Sequence, residues 1–384
     1  MFELGNSNQK IFMIYRRMPI EKESPEELGY GNIRHNLAES SVADFLMKDL
    51  VVQFRDLSLG YNDHRGKPEL REIIASEHGG IQSQDVLLTV GAASALFIIA
   101  TTLLSKEDHL VVVRPNYATN IETPKSIGCA ITYVDLEFGQ QWRPDIEAVK
   151  RAMLPNTKYI SITVPHNPTG TIVSISDLQA LIGLAEQRKI YLLVDETYRE
   201  LSFNEPYPIA ASMSKRVISV SSLSKAYGLP GIRLGWLITR DEQLMETVLA
   251  AKEQIFITNS VLDEEVAYRF LEKKEFYWKP IRQRIQDHFA ILKNWIQLEQ
   301  RLEWVPPTGG VVCFPRLREP HSFDMAAFYK ILLSKYGTLV GPGHWFEMPD
   351  HYMRIGYAWP SKEELQSGLE SISTALDGVI IHSA

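Results

Sequence analysis

Lys225 lies in the stretch of sequence with the clearest capacity for chemistry, residues 221–233, directly after an apolar run that predicts a buried strand. A lysine at a strand end can attack a carbonyl compound, provided that a buried, cationic environment lowers the pKa of its amine. The hydroxyls of Ser222 and Ser224 and the guanidinium of Arg233 could bind a phosphate beside it. A surface lysine in a serine-rich turn is the alternative, but it does not explain why a lysine and an arginine flank a turn containing glycine and proline.

Two further predicted strands end in polar side chains. Asp195 and Tyr198 follow the apolar run 190–194, and Asn167 follows the run 159–164. An aspartate there can pair with a protonated ring nitrogen and keep the ring cationic. Tyr198 and Asn167 can donate hydrogen bonds to a phenolic oxygen, and Asn167 can also contact a substrate carboxylate. Taken singly, the aspartate is also typical of a helix N-cap and the asparagine of a plain turn.

Three other places complete the candidate set. Gly91, Ala92 and Ala93 stand at a predicted strand-to-helix junction, where small residues let backbone N–H groups approach a phosphate. Tyr117 could stack on an aromatic ring or could be a core tyrosine. Arg354 lies inside a short apolar run and needs an anionic partner, which could be a substrate carboxylate or an internal aspartate or glutamate.

The elements that must position these residues alternate along the middle of the chain. Apolar runs predict strands at 86–90, 110–113, 130–134, 159–164, 190–194, 217–220 and 234–239. Helical patterns lie between them, near 92–104, 118–128, 144–154, 175–188 and 240–252. Apolar strands that alternate with helices predict a mostly parallel sheet covered on both faces, and such sheets bind ligands beyond the carboxyl ends of their strands.

The two ends of the chain differ from this middle part. The first thirty-odd residues predict an arm, whereas a long charged helical pattern at about 261–299, strands near 311–314 and 352–358, and a helix from about 361 predict a smaller α/β domain. The expected division is an N-terminal arm with part of the small domain at 1–35, a large domain at 36–270 and a small C-terminal domain at 271–384.

Composition limits the classes of function. The chain has 384 residues, 45% hydrophobic and 23% charged, with a formal net charge of −7, which argues against nucleic acid as a partner and suits a cytoplasmic enzyme.

Cys129 and Cys313 have no metal-ligand spacing and are expected to be free thiols, so no metal site is predicted. Residues 86–105 are uncharged and long enough to span a bilayer, but their strand-then-helix pattern predicts a soluble protein without a membrane anchor. The N-terminus lacks the pattern of a secretory signal.

Six short motifs follow one another between Gly91 and Tyr357, in the order G-A-A, P-x-Y, N-P-T-G, D-E-x-Y, S-x-S-K and R-I-G-Y. A further motif, L-G-Y, lies upstream and ends at Tyr61. The set resembles the class I/II aminotransferases of the pyridoxal-5'-phosphate (PLP) fold type I. The resemblance implies an α/β fold with a large domain, in which a mostly parallel seven-stranded sheet lies between helices, and a smaller C-terminal α/β domain. It also implies PLP as the cofactor.

The resemblance assigns each candidate a role. Lys225 corresponds to the lysine that holds PLP as an imine and moves the substrate proton, Asp195 to the partner of the pyridine nitrogen, and Arg354 to the arginine that binds the α-carboxylate. Tyr61 matches a tyrosine that reaches the phosphate of a neighbouring subunit, which implies a homodimer. By the same resemblance, Asn167 and Tyr198 would bind the phenolic oxygen of the cofactor, and Tyr117 would stack on its ring. The residues expected to bind its phosphate are Ser222, Ser224, Arg233, Gly91, Ala92 and Ala93.

The implied activity is transfer of an amino group from an L-amino acid to a 2-oxo acid. A PLP-dependent lyase, replacement or cyclising enzyme is the alternative, because such enzymes share nearly all these motifs. A PLP-binding transcriptional regulator is a third possibility, but the residues before Tyr61 show no basic helix-turn-helix pattern.

Residues 36–41 depart from the family pattern. Many relatives have a glycine-containing loop over the substrate here, whereas this chain has Ala38, expected at the substrate, and Glu39. No arginine for a second, side-chain carboxylate is recognisable. Glu39 would favour a substrate with a basic side chain, and a purely structural glutamate is the alternative.

Overall fold

Strands and helices alternate through the middle of the chain in the computed structural model, which describes residues 13–205 and 208–381. The strands are β1 (His35–Asn36), β2 (Val86–Thr89), β3 (His109–Arg114), β4 (Ala130–Asp135), β5 (Thr157–Thr163), β6 (Tyr191–Asp195), β7 (Val217–Ser222), β8 (Gly235–Ile238), β9 (Leu302–Glu303), β10 (Val312–Cys313), β11 (Arg316–Leu317), β12 (Thr338–Leu339), β13 (Gly341–Pro342) and β14 (Met353–Gly356). The helices are α1 (Pro19–Lys22), α2 (Pro25–Leu28), α3 (Pro68–Ser76), α4 (Gly91–Leu103), α5 (Thr119–Ile127), α6 (Ile146–Ala152), α7 (Ile175–Arg188), α8 (Ala210–Met213), α9 (Glu242–Phe256), α10 (Val261–Glu272), α11 (Lys274–Leu298), α12 (Met325–Ser334) and α13 (Lys362–Asp377).

The central sheet has seven strands in the order β2-β8-β7-β6-β5-β3-β4. The five strands from β3 to β7 are parallel, and β8 runs antiparallel to both β2 and β7. The expected α/β fold with a mostly parallel seven-stranded sheet is therefore confirmed, and each predicted strand of the middle region is one of its members.

Both faces of this sheet are buried, which explains the continuous apolar runs in the sequence. Leu192 and Val194 of β6 pack into one core, and Leu193 between them packs into the other. Successive side chains of a strand point to opposite faces, so a strand covered on both sides needs apolar residues at every position. Each buried leucine of this kind stabilises the fold by about 1.5–3 kcal/mol.

The C-terminal part contains the three-stranded antiparallel sheet β10-β14-β13, and its helix α13 packs against α11, α12 and β12. Residues near the N-terminus join this part, because β1 pairs in parallel with β12. The backbone after β1 also lies against β14, where the Gly356 N–H donates to the Leu37 carbonyl at 2.7 Å. A Cβ on Gly356 would lie only 1.7 Å from the Glu39 carbonyl oxygen, so the two backbones can approach this closely only because residue 356 is glycine.

The helical pattern predicted over 261–299 is two helices, α10 and α11, that meet at Lys273. Lys273 leaves helical geometry, and its N–H donates to the carbonyls of Phe270 and Leu271. The break lets Phe270 and Tyr277 stack with their ring centroids 4.7 Å apart. Periodicity alone does not reveal such a break, because both helices present apolar residues at the same spacing.

The uncharged segment 86–105 forms β2 and α4 rather than one long helix. In residues 13–205 and 208–381, no helix combines the length and the apolar character needed to cross a membrane.

Candidate active site

A cavity of about 270 Å³ lies beyond the carboxyl ends of β5, β6 and β7. Its walls bring together most of the predicted site residues, which come from segments far apart in the chain. These are Ala38, Ala92, Ala93, Tyr117, Asn167, Asp195, Tyr198, Ser222, Ser224, Lys225, Arg233 and Arg354. Parallel strands end at one edge of a sheet, which is why motifs separated by some thirty residues converge there.

Lys225 lies on the turn after β7, held through its backbone carbonyl by the N–H of Val42 at 3.0 Å. Its ammonium has neither a hydrogen bond nor an ion pair with any residue that the structure describes. Burial lowers the pKa of Lys225, but Tyr198, Glu39 and Tyr117 together outweigh burial and raise the pKa above its ordinary value. The expectation of a lowered pKa is therefore wrong for the protein groups alone, because the electrostatic effects of Tyr198, Glu39 and Tyr117 exceed those of burial and Arg354.

Asp195, at the end of β6, is a carboxylate that is 5% exposed. Its Oδ1 accepts hydrogen bonds from the Thr197 hydroxyl at 2.6 Å and the Thr197 N–H at 3.1 Å. Its Oδ2 has no hydrogen-bond partner in the described part of the chain. Burial raises the pKa of Asp195, and the bonds from Thr197 lower it. A buried carboxylate that lines the cavity and has one oxygen without a partner fits the protonated pyridine nitrogen of PLP. The sequence analysis missed Thr197, which was visible only as the third residue of the D-E-T-Y motif.

Arg354, on β14, forms a chain of hydrogen bonds with two predicted neighbours. Its Nη1 donates to Asn167 Oδ1 at 3.1 Å and its Nη2 to the Ala38 carbonyl at 2.6 Å, while Asn167 Nδ2 donates to the Tyr198 hydroxyl at 3.3 Å. The side chain is 3% exposed, and Nε is buried without a partner. Among residues 13–205 and 208–381, no aspartate or glutamate pairs with it, so the internal-acid alternative finds no support. Burial lowers the pKa of Arg354, and a bound carboxylate would supply the missing anion.

The N-terminus of α4 and Arg233 form a cradle suited to a phosphate. Gly91 has φ 72°, and a Cβ there would lie 2.5 Å from Arg233 Nη2. No side chain caps α4, so the N–H groups of its first turn remain available. Arg233 Nη1 donates to Ser224 Oγ at 3.3 Å and to the Pro230 carbonyl at 2.7 Å, and the described residues include no acid within ion-pair distance of it. The donors fit the dianionic phosphate of PLP.

The remaining predicted residues divide into one that lines the cavity and one that does not. Tyr117 lies at the cavity wall, and burial raises the pKa of its hydroxyl. Tyr61 is 84% exposed and does not line the cavity of its own chain. Its assigned contact with a neighbouring subunit stays a prediction.

One wall of the cavity was only partly foreseen. Glu39 was expected near the substrate, but the segment 20–26 and Trp345, which line the same wall, were not. Glu23 attaches this segment to the C-terminal part, because Glu23 Oε2 accepts from His344 Nε2 at 2.9 Å and from Trp345 Nε1 at 2.6 Å. The short helices α1 and α2 carry no sequence pattern that distinguishes them from an exposed arm, and the attachment depends on contacts some 320 positions apart.

His344 makes this attachment depend on pH. Its Nδ1 also bonds Asp350 Oδ1 at 2.8 Å, so both ring nitrogens face carboxylates, an arrangement that suits the doubly protonated imidazolium. Burial lowers the pKa of His344, but Glu23 and Asp350 outweigh it and raise the pKa above its ordinary value. Stabilisation by the charged ring is therefore complete below the ordinary histidine pKa and is lost as pH rises through the raised value.

We expect His344→Gln to lower the urea midpoint of unfolding at acidic pH, and the difference from wild type to shrink as pH rises. Urea titrations of both proteins across a pH series measure this, with His321→Gln, at an exposed histidine outside the attachment, as the control. A difference that does not change with pH would contradict the role assigned to the charged ring.

Comparison with known proteins agrees with this geometry. The family "Aminotransferase class I and II" matches residues 27–372. Capreomycidine synthase of Streptomyces vinaceus is 29% identical over 314 residues, which cover 81% of this chain and 79% of that protein. The HTH-type transcriptional regulator NorG of Staphylococcus aureus is 26% identical over 339 residues, covering 85% and 75%. A crystal structure of a PLP-dependent aminotransferase from Streptococcus suis aligns with a TM-score of 0.85 at 28% identity, covering 93% and 96%. With almost its whole length matched, the chain belongs to the class I and II aminotransferase family of PLP-dependent enzymes.

Proposed function

We propose that this chain is an aminotransferase that moves the amino group of an L-amino acid to a 2-oxo acid. One observation carries the proposal. Lys225, Asp195 and Arg354 line one cavity, and the amine of Lys225, Oδ2 of Asp195 and Nε of Arg354 have no hydrogen-bond partner among the described residues. A buried polar group without a partner is costly. Bound PLP and its amino-acid substrate would provide partners for Asp195 and Arg354. They would also bring the reacting atoms to Lys225.

When bound, PLP supplies a ring that can accept the electrons of a broken bond at the substrate Cα. Asp195 would hold a proton on the ring nitrogen, because its carboxylate lines the cavity and one of its oxygens has no partner among the described residues. Asn167 and Tyr198, which contact each other, would both face the phenolic oxygen. The first turn of α4, with Ser222, Ser224 and Arg233, would hold the phosphate, and Tyr117 would cover the ring face.

Arg354 would orient the substrate. Its buried Nε can take the α-carboxylate, while Asn167 and the Ala38 carbonyl keep the guanidinium in place. With the carboxylate fixed, the Cα–H bond can stand towards Lys225. The amine of Lys225 would take the proton from Cα and release it to the adjacent cofactor carbon. Fixing both groups in this geometry contributes much of the catalysis.

The active unit that we propose is a homodimer in which Tyr61 contributes to the neighbouring site. The support is its position: a tyrosine that is 84% exposed in one chain has a large apolar ring available for contact. The proposal also places the enzyme in the cytoplasm, on the support of composition alone.

A second candidate function is cyclisation, elimination or replacement on the same amino-acid scaffold. The specific observation in its favour is the 29% identity to capreomycidine synthase. The groups around Cα would act identically in both cases, because the two reactions diverge only after the Cα–H bond is broken.

The test is the absorption spectrum of the PLP-loaded protein before and after addition of a panel of L-amino acids. An aminotransferase loses the visible band of lysine-bound PLP, accumulates a 2-oxo acid, and regains the band when a 2-oxo acid is added. Persistence of the band with release of ammonia or of a cyclised product would reject the aminotransferase and support the second candidate.

A further inference from the structure

From the wall that faces Lys225 and Arg354, we infer that the preferred substrate is an amino acid whose side chain carries a positive charge. Glu39, Glu21 and Glu26 would contact that charge. The inference rests on the proposed function, since it names the substrate class of the same site.

The three glutamates line the cavity that holds the catalytic groups. Glu39 is the best placed of them, because it follows Ala38, whose carbonyl accepts the hydrogen bond from Arg354 Nη2. Glu39 is also near enough to influence the charge of both Lys225 and Arg354. An amino acid whose α-carboxylate is held at Arg354 would therefore lie in the cavity that Glu39 also lines.

None of these three carboxylates has a basic partner in the described part of the chain. Glu39 Oε1 accepts only from the Tyr30 hydroxyl, at 3.0 Å. Two other acids of the same N-terminal segment do have partners, since Glu23 bonds His344 and Glu27 bonds Arg17 at 3.0 Å. The acids of this segment with basic partners lie outside the cavity lining, whereas those that line the cavity have none.

The positive groups of the cavity already have other proposed roles. Arg233 belongs to the phosphate cradle, Arg354 to the α-carboxylate, and Lys225 to the reaction. Arg354 is 3% exposed, and its Nε has no partner among the described residues. This is an independent sign that an anionic ligand group binds at Arg354. Among the described lining residues, no cation remains for a second carboxylate, so an acidic side chain would face like charges.

Apolar groups beside the glutamates suit the stem of such a side chain. Ile20, Pro25 and Trp345 line the same wall. Long cationic side chains place their methylene groups on apolar surface and their charged ends at polar groups. The wall therefore offers both parts of the contact that a lysine-like or arginine-like substrate needs.

The experiment compares amino acids that have nearly the same shape and differ in charge. L-arginine is paired with L-citrulline and L-lysine with L-norleucine, and each Kd is obtained by titrating the visible absorbance of the PLP-loaded enzyme. The variants are Glu39→Gln and the double variant Glu21→Gln/Glu26→Gln. Glu27→Gln is the matched control, because it removes a charge from the same segment outside the cavity. In Glu39→Gln, the amide oxygen can still accept from Tyr30.

We expect the cationic member of each pair to bind about ten-fold more tightly or better in wild type, as for a partly shielded charge pair. Glu39→Gln should remove most of that preference by weakening only the cationic amino acids, and the double variant should reduce it further. Glu27→Gln should leave it unchanged. Added salt should diminish it, since the carboxylates are partly exposed.

Equal affinity within each pair in wild type would overturn the inference, as would a Glu39→Gln variant that weakens both members alike. Tighter binding of L-aspartate or L-glutamate would overturn it too. These outcomes are separable from failure of the proposed function, because the Kd is read from the binding spectrum whether or not a 2-oxo acid forms.

Discussion

Replacing Lys225 with alanine is expected to abolish covalent attachment of PLP and to lower kcat by at least about 10³-fold, because the variant loses both the amine nucleophile and the proton carrier. The phosphate cradle remains in the variant, so PLP should still bind without a covalent link. Reduction with borohydride followed by mass spectrometry of peptides measures the attachment. Wild type should carry the PLP mass on the peptide that contains Lys225, and the variant should carry none.

The matched control is Lys293→Ala, at an exposed lysine on α11. It should keep both the label and the activity. A small primary amine added to Lys225→Ala should restore part of the turnover, since it can enter the space that the side chain leaves. A variant that keeps the visible band and normal turnover would show that another group carries the chemistry.

Asp195→Asn is expected to lower kcat by about 10²–10³-fold, the usual effect of removing one preorganised charge from a reacting system. The change keeps the shape of the side chain, and its amide oxygen can still accept both hydrogen bonds from Thr197. Only the negative charge that would hold the proton on the ring nitrogen is lost. Steady-state kinetics should therefore show a fall in kcat, with PLP still bound and the fold intact by circular dichroism.

Asp287→Asn, at an exposed site on α11, is the control for loss of one negative charge. An Asp195→Asn enzyme with wild-type kcat would mean that the ring nitrogen needs no charged partner in this protein. A variant that no longer binds PLP would instead place the role of Asp195 in cofactor binding.

The strand ends were predictable because a local signal marks each of them. A continuous apolar run that ends in a polar residue specifies both a buried strand and the place where it meets the edge of the sheet. Asp195, Asn167 and Lys225 were located in this way, and the structure brings them into one cavity. Arg354 was recognisable too, as a charge inside an apolar run, but only the packing of β14 against the loop after β5 shows which groups surround it.

The outer wall of the cavity could not be predicted in the same way. Glu21 and Glu26 lie on short exposed helices, where glutamate is common and usually has no role. Their position depends on the contact of Glu23 with His344, which no local pattern reveals. The direction of the Lys225 pKa was predicted incorrectly for a related reason: Tyr198 and Glu39, which raise this pKa, come from other segments of the chain, and their effect on the amine depends on the folded arrangement.

The two parts of this outer wall differ in how freely evolution can alter them. The backbone around Glu39 lies against Gly356 so closely that no other residue fits there, and the neighbouring Ala38 carbonyl accepts from Arg354. Insertions or deletions in this loop would move Arg354, to which we assign the α-carboxylate common to all amino acids, and would therefore affect every substrate. The helices α1 and α2 are attached through Glu23 to His344 and Trp345, so substitutions at their other residues leave the backbone around Arg354 in place. New substrate preferences within this lineage are therefore expected to arise first by changes in residues 19–28, which makes that segment the natural target for a mutant library.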